Sequence, residues 1–568
     1  MSKNTMKSTL FLGLAVLFCC SAKAAPALSS AQIEAYTSIG RVWGFLKYHH
    51  PTVRSGALNW DRTLMKAFEE YEDSPPPLMC QQVISKLLSA AGPVDECDVC
   101  FDHLDKEEKG ISIVNWQWMK PTPFLTEAHV TSLRRIRDQR AVHDSTQHAY
   151  LQQWYTVSRR FVMDSAYEDL SLFTPQQRLL ALYHYWNVIV YFFPYRTTAN
   201  PNWAQVLHDF IPRFWEAKGE RAFQYAMWEL ANQINDGHGG GGSPYLSAHG
   251  YGKYWLPFWA RLSAERRVFI TELRNDSLGQ AVGLKVGDEI LQVNGRGIRE
   301  LLAEKGSYKA ASNATTKDLY CLWAILQDTL PMATLKLTRG SATFDLVVPR
   351  YLAGDLKANR HPKWYWADTM RTVLVARAHN MRSIQDARAF LKKSKRAEAI
   401  VIDFRMGSMG DEARYLMIQR MLPKNEPINI TAFPLYAIPG NWEKLVTQSV
   451  YGRQAKSWRN KPLVLLSGEY NISKDEWAIM CFQTSSQAYT IGRPTGGALS
   501  YMAQIQMPGQ FNAAFTMGYM AYPDGSPIFG PGVKLDERVE PTAAQLSQGR
   551  DPALEHALQY LSSPIEQP

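Results

Sequence analysis

A histidine flanked by glycines is the first residue in this chain that could do chemistry. In the stretch QINDGHGGGGSPY, residues 233–245, His238 follows a helical pattern and precedes four glycines. A phosphate-binding loop would continue into Lys-Ser or Lys-Thr, which is missing here. The nearest other histidine, His249, is eleven residues on, which does not fit a tightly spaced zinc pair. Two interpretations stay open: a catalytic base whose partner comes from elsewhere in the chain, or a solvated side chain in a flexible turn.

A serine at a strand-to-helix junction is the second candidate. In VLLSGEYNISKDEWAIM, residues 464–480, Ser473 lies where an apolar strand pattern gives way to a helical one. Asn471 or Ser473, together with Glu476, could simply cap that helix. The free N–H groups and the positive dipole end of the helix would also stabilise an oxyanion formed beside an attacking serine. Ser473 is therefore either a helix cap or a nucleophile.

The element preceding His238 belongs to an internal repeat. The 28 residues from position 41 align without a gap onto those from position 184, so that Trp43 matches Trp186 and Tyr48 matches Tyr191. Each copy predicts a capped apolar helix, a stop at proline, a loop and a second amphipathic helix. We expect two similar helical hairpins, with both tryptophans packed in a core.

Two motifs in the first half resemble metal ligands without the context of a metal site. The pair His49-His50 is replaced by Phe192-Phe193 in the second copy, which favours a packing role. The motif CDVC at 97–100 has no second cysteine pair for a four-ligand zinc site. In an oxidising compartment we expect a disulfide within the set Cys80, Cys97 and Cys100, with one thiol left over. No metal and no cofactor is predicted.

The second half changes from helical to strand-rich patterns. Residues 250–352 contain short apolar strands around GLKVGDEILQVNG, a helix near 317–327 and a hairpin, an arrangement that looks like a circularly permuted PDZ domain. From about 364 the chain alternates helices with the buried strands AEAIVIDF, KPLVLLSG and AYTIGRPTGG. That alternation predicts a mainly parallel sheet with crossover helices.

The N-terminus has the pattern of an export signal. A lysine-bearing start and an apolar run, Leu10–Cys20, lead to Ala22-Lys23-Ala24, which predicts a signal peptide over residues 1–24 and a mature chain from Ala25. We expect a periplasmic or secreted protein, with lipid anchoring through Cys20 as a lesser alternative. No later apolar stretch reaches about 18 residues, so no transmembrane span is expected.

Composition excludes some classes of partner. The 568 residues are 46% hydrophobic and 20% charged, with a formal charge of +9 that falls to +6 when the three lysines of the signal peptide are removed. These values are ordinary for a folded protein. Since no Lys/Arg run of the nucleic-acid-binding type is present, no nucleic-acid partner is expected.

The order of the motifs resembles a known family. A helical region ending in DGH, a PDZ-like domain, then IVIDFR, NISKDE, IGRPTGG and GVKLDERVEPT are similar to the C-terminal-processing (tail-specific) serine peptidases, and to their tricorn-core-like branch. The resemblance implies a multidomain α+β protein with an α/β catalytic core of the crotonase/ClpP-like kind. The implied boundaries are 25–170 for the first helical copy and cysteine cluster, 171–249 for the second copy, 250–352 for the PDZ-like domain and 362–565 for the core.

The resemblance also implies roles for particular residues. Ser473 would be the nucleophile and His238 its general base. The backbone N–H of Lys474 and one after the Asp-x-Arg motif, at Met409 or Gly410, would form the oxyanion hole. Supporting roles would fall to Glu476, Asp403 and Arg405.

Three positions depart from the family pattern. Ala498 stands where the Ser–Lys branch has its lysine, Phe529 stands where the tricorn-like branch has a glutamate, and Met409-Gly410 replaces a glycine pair. The resemblance therefore assigns no third catalytic residue. The leading hypothesis is an exported serine peptidase that cleaves polypeptides, bound as extended segments, through an acyl-enzyme. The alternatives are a catalytically impaired, peptide-binding member of the family and an esterase-like serine hydrolase.

Overall fold

The computed structural model describes residues 27–97, 100–101, 110–140, 148–153, 158–164, 173–356 and 361–562. The predicted signal peptide and the lipid-anchor alternative fall on residues 1–26, outside this set. Within the ranges described, no helix combines the length and apolar character needed to cross a bilayer.

The N-terminal region is mainly helical. Its elements are α1 Ser30–His49, α2 Pro51–Arg54, α3 Trp60–Tyr71, α4 Pro76–Ala91, β1 Ile111–Ser112, α5 Glu127–Asp138, β2 Leu151–Gln153, β3 Arg159–Phe161, α6 Pro175–Phe192, α7 Arg196–Ala199, α8 Trp203–Trp215, α9 Gly219–Ala231, β4 Gly240–Gly242 and α10 Pro244–His249. Capping boxes open both long helices, at Ser29 for α1 and at Thr174 for α6. Both hairpins were predicted from the repeat.

The two copies share an interior hydrogen bond as well as a plan. The Trp60 indole N–H donates to Trp43 O at 3.1 Å, and the Trp203 indole N–H donates to Trp186 O at 3.2 Å. Trp43 and Trp186 are both buried. The prediction that they pack in a core is confirmed.

The copies also pack on each other through equivalent positions of α1 and α6. Gly44 faces Asn187, and a Cβ at position 44 would lie 1.9 Å from Asn187 Cγ, so only glycine fits there. The Asn187 amide donates to Gly40 O at 3.0 Å, and the Tyr183 hydroxyl donates to Tyr36 O at 2.7 Å. Positions 40 and 44 are the repeat counterparts of 183 and 187, which gives the contact an approximate two-fold symmetry.

The middle region, residues 250–356, is a small sheet with helices. Its elements are β5 Tyr254–Trp255, β6 Phe258–Leu262, β7 Val268–Leu273, α11 Asp276–Ala281, β8 Glu289–Val293, β9 Arg296–Gly297, α12 Ile298–Gly306, α13 Ala314–Leu326, β10 Gln327–Asp328, β11 Met332–Arg339, β12 Ala342–Pro349 and β13 Tyr351–Leu352. The strands follow the order β12-β11-β8-β7-β6, with β9 beside β8 and a second sheet β10-β5-β13. One apolar cluster fills this region, as its strand pattern predicted.

The C-terminal region, from residue 361, is an α/β unit. Its elements are β14 Trp364–Trp366, β15 Val373–Arg377, α14 Ile384–Ser394, β16 Ala399–Asp403, α15 Asp411–Met421, β17 Lys424–Ala432, β18 Asn441–Trp442, β19 Val446–Tyr451, β20 Leu463–Ser467, α16 Lys474–Gln483, β21 Ala488–Gly492, β22 Met502–Met507, β23 Phe511–Thr516, β24 Tyr519–Ala521, β25 Glu537–Arg538, α17 Ala543–Ser547 and α18 Pro552–Ser562. The main sheet has the order β14-β15-β16-β20-β21-β25. Only β14 pairs antiparallel, so the predicted, mainly parallel sheet is confirmed.

A sheet that crosses between regions was not predicted. Strands β2, β3 and β4 of the N-terminal region join β22 and β23 in the order β2-β3-β22-β23-β4. The glycine run after His238, expected to be a loop, is strand β4, in which Gly240 pairs with Ala514. A Cβ at Gly241 would lie 2.5 Å from the Phe511 ring, so the glycines permit a close approach of two strands.

The motifs that resembled metal ligands are structural. Cys97 and Cys100 form a disulfide, and Cys80 is a buried free thiol. His49 and His50 are buried in the helical core. In the part of the chain that the structure covers, no group of histidine, cysteine and carboxylate side chains could hold a metal ion.

Candidate active site

Ser473 lies in a strained turn between β20 and α16. Its φ of 59° and ψ of −118° are unusual for any residue other than glycine. Backbone strain of this kind costs about 1–3 kcal/mol and is found mainly at functional sites. Ser473 is the N-cap of α16, with Glu476 at the third helical position, but capping alone does not explain this geometry, since caps normally have extended backbone. The conformation therefore favours the nucleophile interpretation of Ser473.

Glu476 locks this turn to the neighbouring loop at 495–498. The buried carboxylate accepts hydrogen bonds from Ser473 N at 3.0 Å, Thr495 Oγ1 at 2.6 Å, Gly497 N at 2.7 Å and Ala498 N at 3.1 Å. Burial raises the pKa of Glu476 to about 7, against the opposing effect of these donors. Glu476 thus fixes where Ser473 stands relative to Ala498, as a supporting residue.

His238 is oriented by a hydroxyl and a carboxylate. Its Nδ1 lies 2.9 Å from Thr516 Oγ1, and Thr516 Oγ1 donates to Asp236 Oδ1 at 2.8 Å. Because a hydroxyl has one proton and Asp236 receives it, Thr516 must accept from Nδ1–H. Nε2 then carries the lone pair, and this buried atom has no hydrogen-bond partner among the residues described. The Nε2 atom of His238 is therefore able to accept a proton.

Asp236 is a buried carboxylate with three donors. It accepts from His238 N at 2.9 Å, from Thr516 Oγ1 at 2.8 Å and from Thr516 N at 2.5 Å. Burial lowers the pKa of His238, and the nearby charge of Asp236 partly offsets that effect. The imidazole is consequently neutral near pH 7, which is the protonation state that a base requires.

The loop that carries His238 packs against the loops around Ser473. A Cβ placed on Gly237 would lie 3.2 Å from Ile472 Cδ1, 3.0 Å from Ala498 Cβ and 3.1 Å from Gly496 O. Folding therefore brings neighbours of His238 into contact with the residue before Ser473, although 235 positions separate the two in sequence.

The three candidate oxyanion donors differ in availability. Among the described residues, the N–H groups of Lys474 and Met409 have no hydrogen-bond acceptor. Gly410 N–H, in contrast, donates to Met381 O at 2.9 Å. That bond occupies the Gly410 donor, which leaves Lys474 and Met409 as the available candidates.

Asp403 and Arg405 form an ion-pair network beneath the loop that leads to Ser473. Arg405 donates to Asp403 at 2.9 and 2.8 Å and to Asp551 at 2.6 and 2.8 Å, which ties the end of β16 to the start of α18. A Cβ on Gly468 would lie 3.5 Å from Arg405 Cγ, so the guanidinium stem lies under the loop that leads to Ser473. Asp403 and Arg405 therefore stabilise the backbone around the site and are not placed to react with a substrate.

Two of the three departures from the family pattern, Phe529 and Ala498, are packed in the interior. Phe529 stacks on Tyr195 with the ring centroids 3.8 Å apart, in place of an acidic side chain. Ala498 is fully buried and gives only its backbone N–H to Glu476. Neither position supplies a titratable group.

Comparison with known families decides the class of protein. Residues 373–539 match the model of peptidase family S41, and residues 252–327 match that of a PDZ domain. Residues 373–539 are an S41 peptidase domain. The chain is thus a serine-type peptidase with a PDZ domain, as the order of its motifs implied.

Solved structures resemble the fold at low identity. Mature CPAF aligns over 68% of this chain and 96% of its own, with 14% identity and a TM-score of 0.49. A putative peptidase from Parabacteroides merdae aligns over 70% and 99%, with 11% identity and a TM-score of 0.44. The photosystem II D1 C-terminal processing protease aligns over 66% and 98%, with 16% identity and a TM-score of 0.40. No curated protein matches the sequence.

A cavity of about 360 Å³ lies where the PDZ domain meets the S41 domain. Its walls include Trp259 and Arg261 of β6 and Glu469 and Tyr470 of the loop before Ser473. Arg261 Nε lies 3.5 Å from Glu469 Oε1. Strand β6 is at the edge of its sheet, which is the place where an extended peptide can add as a further strand.

Sequence reasoning missed Thr516 and Asp236. Asp236 stands in the DGH motif itself, so its proximity to His238 was available as a signal. Thr516 ends the stretch FNAAFT, which contains no catalytic pattern. It reaches His238 only because β23 pairs with the glycine strand β4.

Proposed function

We propose that the protein is an exported peptidase in which Ser473 is the nucleophile and His238 is the general base. The observation that carries the proposal is the hydrogen-bond chain from His238 Nδ1 through Thr516 to Asp236, which leaves Nε2 without a partner among the described residues. Thr516 and Asp236 take the orienting role for which no residue could be assigned from the sequence. They replace the acidic side chain that Phe529 cannot provide.

The reaction follows from this arrangement. Nε2 of His238 removes the Ser473 hydroxyl proton as Oγ attacks the scissile carbonyl carbon. The N–H groups of Lys474 and Met409 are proposed to stabilise the oxyanion, and protonated His238 then donates its proton to the leaving amine. Water, activated by the same nitrogen, hydrolyses the acyl-enzyme. The substrate is proposed to be a polypeptide that lies extended along the edge of β6.

Labelling and turnover test the pair. A fluorophosphonate probe should label wild-type protein at Ser473, and labelled casein should be cleaved. Ser473→Ala and His238→Ala should each lower kcat/KM by about 10³-fold or more, and the double variant should be little worse because the residues act as a unit. Thr516→Val should fall between these and wild type. Strong labelling of His238→Ala would rule out His238 as the base.

Backbone strain offers a test that needs no substrate. Ser473→Gly should abolish labelling yet stabilise the fold by about 1 kcal/mol, since glycine adopts this φ and ψ without strain. Ser473→Ala keeps the Cβ and should leave stability close to wild type. Denaturant unfolding of the three proteins gives the comparison, and equal stabilities would argue that the turn is unstrained.

Export is tested separately. If residues 1–24 are removed, mass spectrometry of the envelope fraction should find a mature N-terminus at Ala25. A chain that retains Met1, or one acylated at Cys20, would overturn the proposed cleavage.

A further inference from the structure

The residue before His238 is held at both of its backbone polar groups by the PDZ domain. Gly237 N–H donates to Ser312 Oγ at 2.7 Å, and Gly237 O accepts from the Tyr320 hydroxyl at 3.2 Å. Ser312 and Tyr320 both lie within the stretch 252–327 that matches a PDZ domain. The His238 loop otherwise belongs to the N-terminal region, so these bonds cross a domain boundary.

These two bonds have an unusual influence on His238 because the residue they hold is a glycine. Glycine has the widest backbone freedom, so its φ and ψ are set by its surroundings rather than by its own side chain. The neighbouring atoms, 3.0–3.2 Å from a Cβ at position 237, would also have to move to admit another residue. The two hydrogen bonds therefore fix the two peptides on either side of Gly237: Ser312 holds the one that joins Asp236 to Gly237, and Tyr320 holds the one that joins Gly237 to His238.

Helix α13, which carries Tyr320, also contacts the loop that contains Thr495. Asn313, the N-cap of α13, donates from Nδ2 to Thr495 O at 2.8 Å and to Gly530 O at 2.9 Å. Thr495 is in turn bonded to Glu476, which fixes the Ser473 turn. Helix α13 thus contacts both the loop of the proposed base and the loop that holds the proposed nucleophile.

We propose that Ser312 and Tyr320 are positioning residues for the catalytic base, so that the PDZ domain forms part of the active-site scaffold. The proposal rests on the role assigned above to His238. Neither hydroxyl touches the reacting atoms; each acts through one of the two peptides that flank Gly237. Burial, with the charges of Asp236 and Glu476 nearby, raises the pKa of Tyr320, so its hydroxyl stays protonated and can donate.

The test measures the rate of Ser473 acylation by a fluorophosphonate across pH, in the full-length chain. Ser312→Ala should lower the rate about 10-fold, because small displacements of a catalytic group are costly. Tyr320→Phe should lower it less, since its bond is longer. The double variant should be slower than Ser312→Ala, because the two changes release the two peptides on either side of Gly237. With casein, the loss should appear in kcat while KM stays near wild type.

Matched controls separate positioning from general damage. Tyr308→Phe removes another hydroxyl in the PDZ domain, one that donates to Glu229 at 3.4 Å and not to Gly237, and it should label at the wild-type rate. Ser312→Thr keeps a hydroxyl and should recover most of the rate lost in Ser312→Ala. If Ser312→Ala fails to fold, Tyr320→Phe, which deletes one oxygen and keeps the ring, decides the question.

The outcomes distinguish this proposal from the one on which it rests. Wild-type labelling rates and pH profiles for folded Ser312→Ala and Tyr320→Phe, with Ser473→Ala unlabelled, would overturn the positioning role and leave the proposed function standing. A wild-type protein that is not labelled at Ser473 would overturn both.

Discussion

The two helical hairpins share one plan and differ in what fills it. In the first copy, Lys47 is fully buried and pairs with Asp61 at 3.1 Å and Asp164 at 3.5 Å. The matching positions of the second copy, Val190 and Ala204, carry no charge. The charged cluster is therefore specific to the first copy, and in the second copy Val190 is half-buried and Ala204 is exposed.

The residues that follow the first helix of each hairpin also differ between the copies. In the second copy, Tyr195 stacks on Phe529 and bonds through its hydroxyl to Met520 N at 2.7 Å and Met520 O at 3.0 Å. Its counterpart in the first copy is Thr52, which is exposed. The second copy therefore supports the S41 domain next to the candidate site, and leads through α9 to His238. The two hairpins have equivalent folds but different roles, and the residues that differ between them indicate those roles.

Removal of the paired tryptophans should have the largest effect and should be equal in the two copies. Trp43→Ala and Trp186→Ala each remove a buried indole at the shared core position, and each should cost about 3–5 kcal/mol of unfolding free energy. Denaturant titration measures both. Melting curves unchanged by both variants would show that the sequence similarity has no structural counterpart.

Loss of the buried lysine should separate the copies. Lys47→Met leaves Asp61 and Asp164 without their counter-ion and should destabilise by about 3 kcal/mol. The change at the matched position of the second copy, Val190→Met, keeps an apolar side chain at a half-buried site and should cost less than about 1.5 kcal/mol. Equal costs in chemical denaturation would mean that the charged cluster contributes nothing specific to the first copy.

Tyr195 should couple stability to activity, unlike its counterpart. Tyr195→Phe leaves Met520 N and O without their buried partner, which should cost about 2 kcal/mol and reduce casein turnover several-fold through the strand beside the site. Thr52→Val, on an exposed position, should stay within about 0.5 kcal/mol of wild type and keep full turnover. A Tyr195→Phe protein with normal stability and turnover would remove the proposed division of tasks.

The regular elements were the predictable part of the fold. Capping boxes, proline stops and buried β-branched runs are local signals, so both hairpins and the parallel sheet follow from windows of about ten to twenty residues. The sheet that combines β2, β3 and β4 with β22 and β23 has no local signal, because its partners are hundreds of positions apart. The four glycines read locally as a loop, and only tertiary pairing makes them a strand.

The same distinction applies to the candidate site. Ser473 and Glu476 stand three residues apart at a strand-to-helix junction, a spacing with a direct physical meaning. The role of Thr516 depends on its register opposite β4, and that of Ser312 and Tyr320 on the contact between two domains. Residues that act through position rather than through reactivity have no required chemical type, which is why the sequence did not reveal them.

His49 provides the smallest and most specific test of the comparison. Its ring stacks on Phe45 with centroids 4.9 Å apart and meets Tyr191 edge-on at 4.7 Å, while neither ring nitrogen has a hydrogen-bond partner among the described residues. The second copy has Phe192 at this position. His49→Phe should therefore stabilise the protein by about 1 kcal/mol at pH 7, because it removes two unsatisfied buried polar atoms.

The stability gained in His49→Phe should depend on pH in a predictable direction. Burial lowers the pKa of His49 well below its ordinary value of 6.5, so below about pH 6.5 the unfolded chain takes up a proton that the folded chain refuses. Wild-type stability contributed by the neutral ring is present above pH 6.5 and is lost as pH falls, and phenylalanine has no such loss. The stability difference measured by urea unfolding should thus widen from pH 7 to pH 5, while the acid limb of Ser473 labelling, set by His238, stays in place. A difference that is constant with pH would show that His49 is solvated, and that the first hairpin tolerates polarity for a reason other than burial.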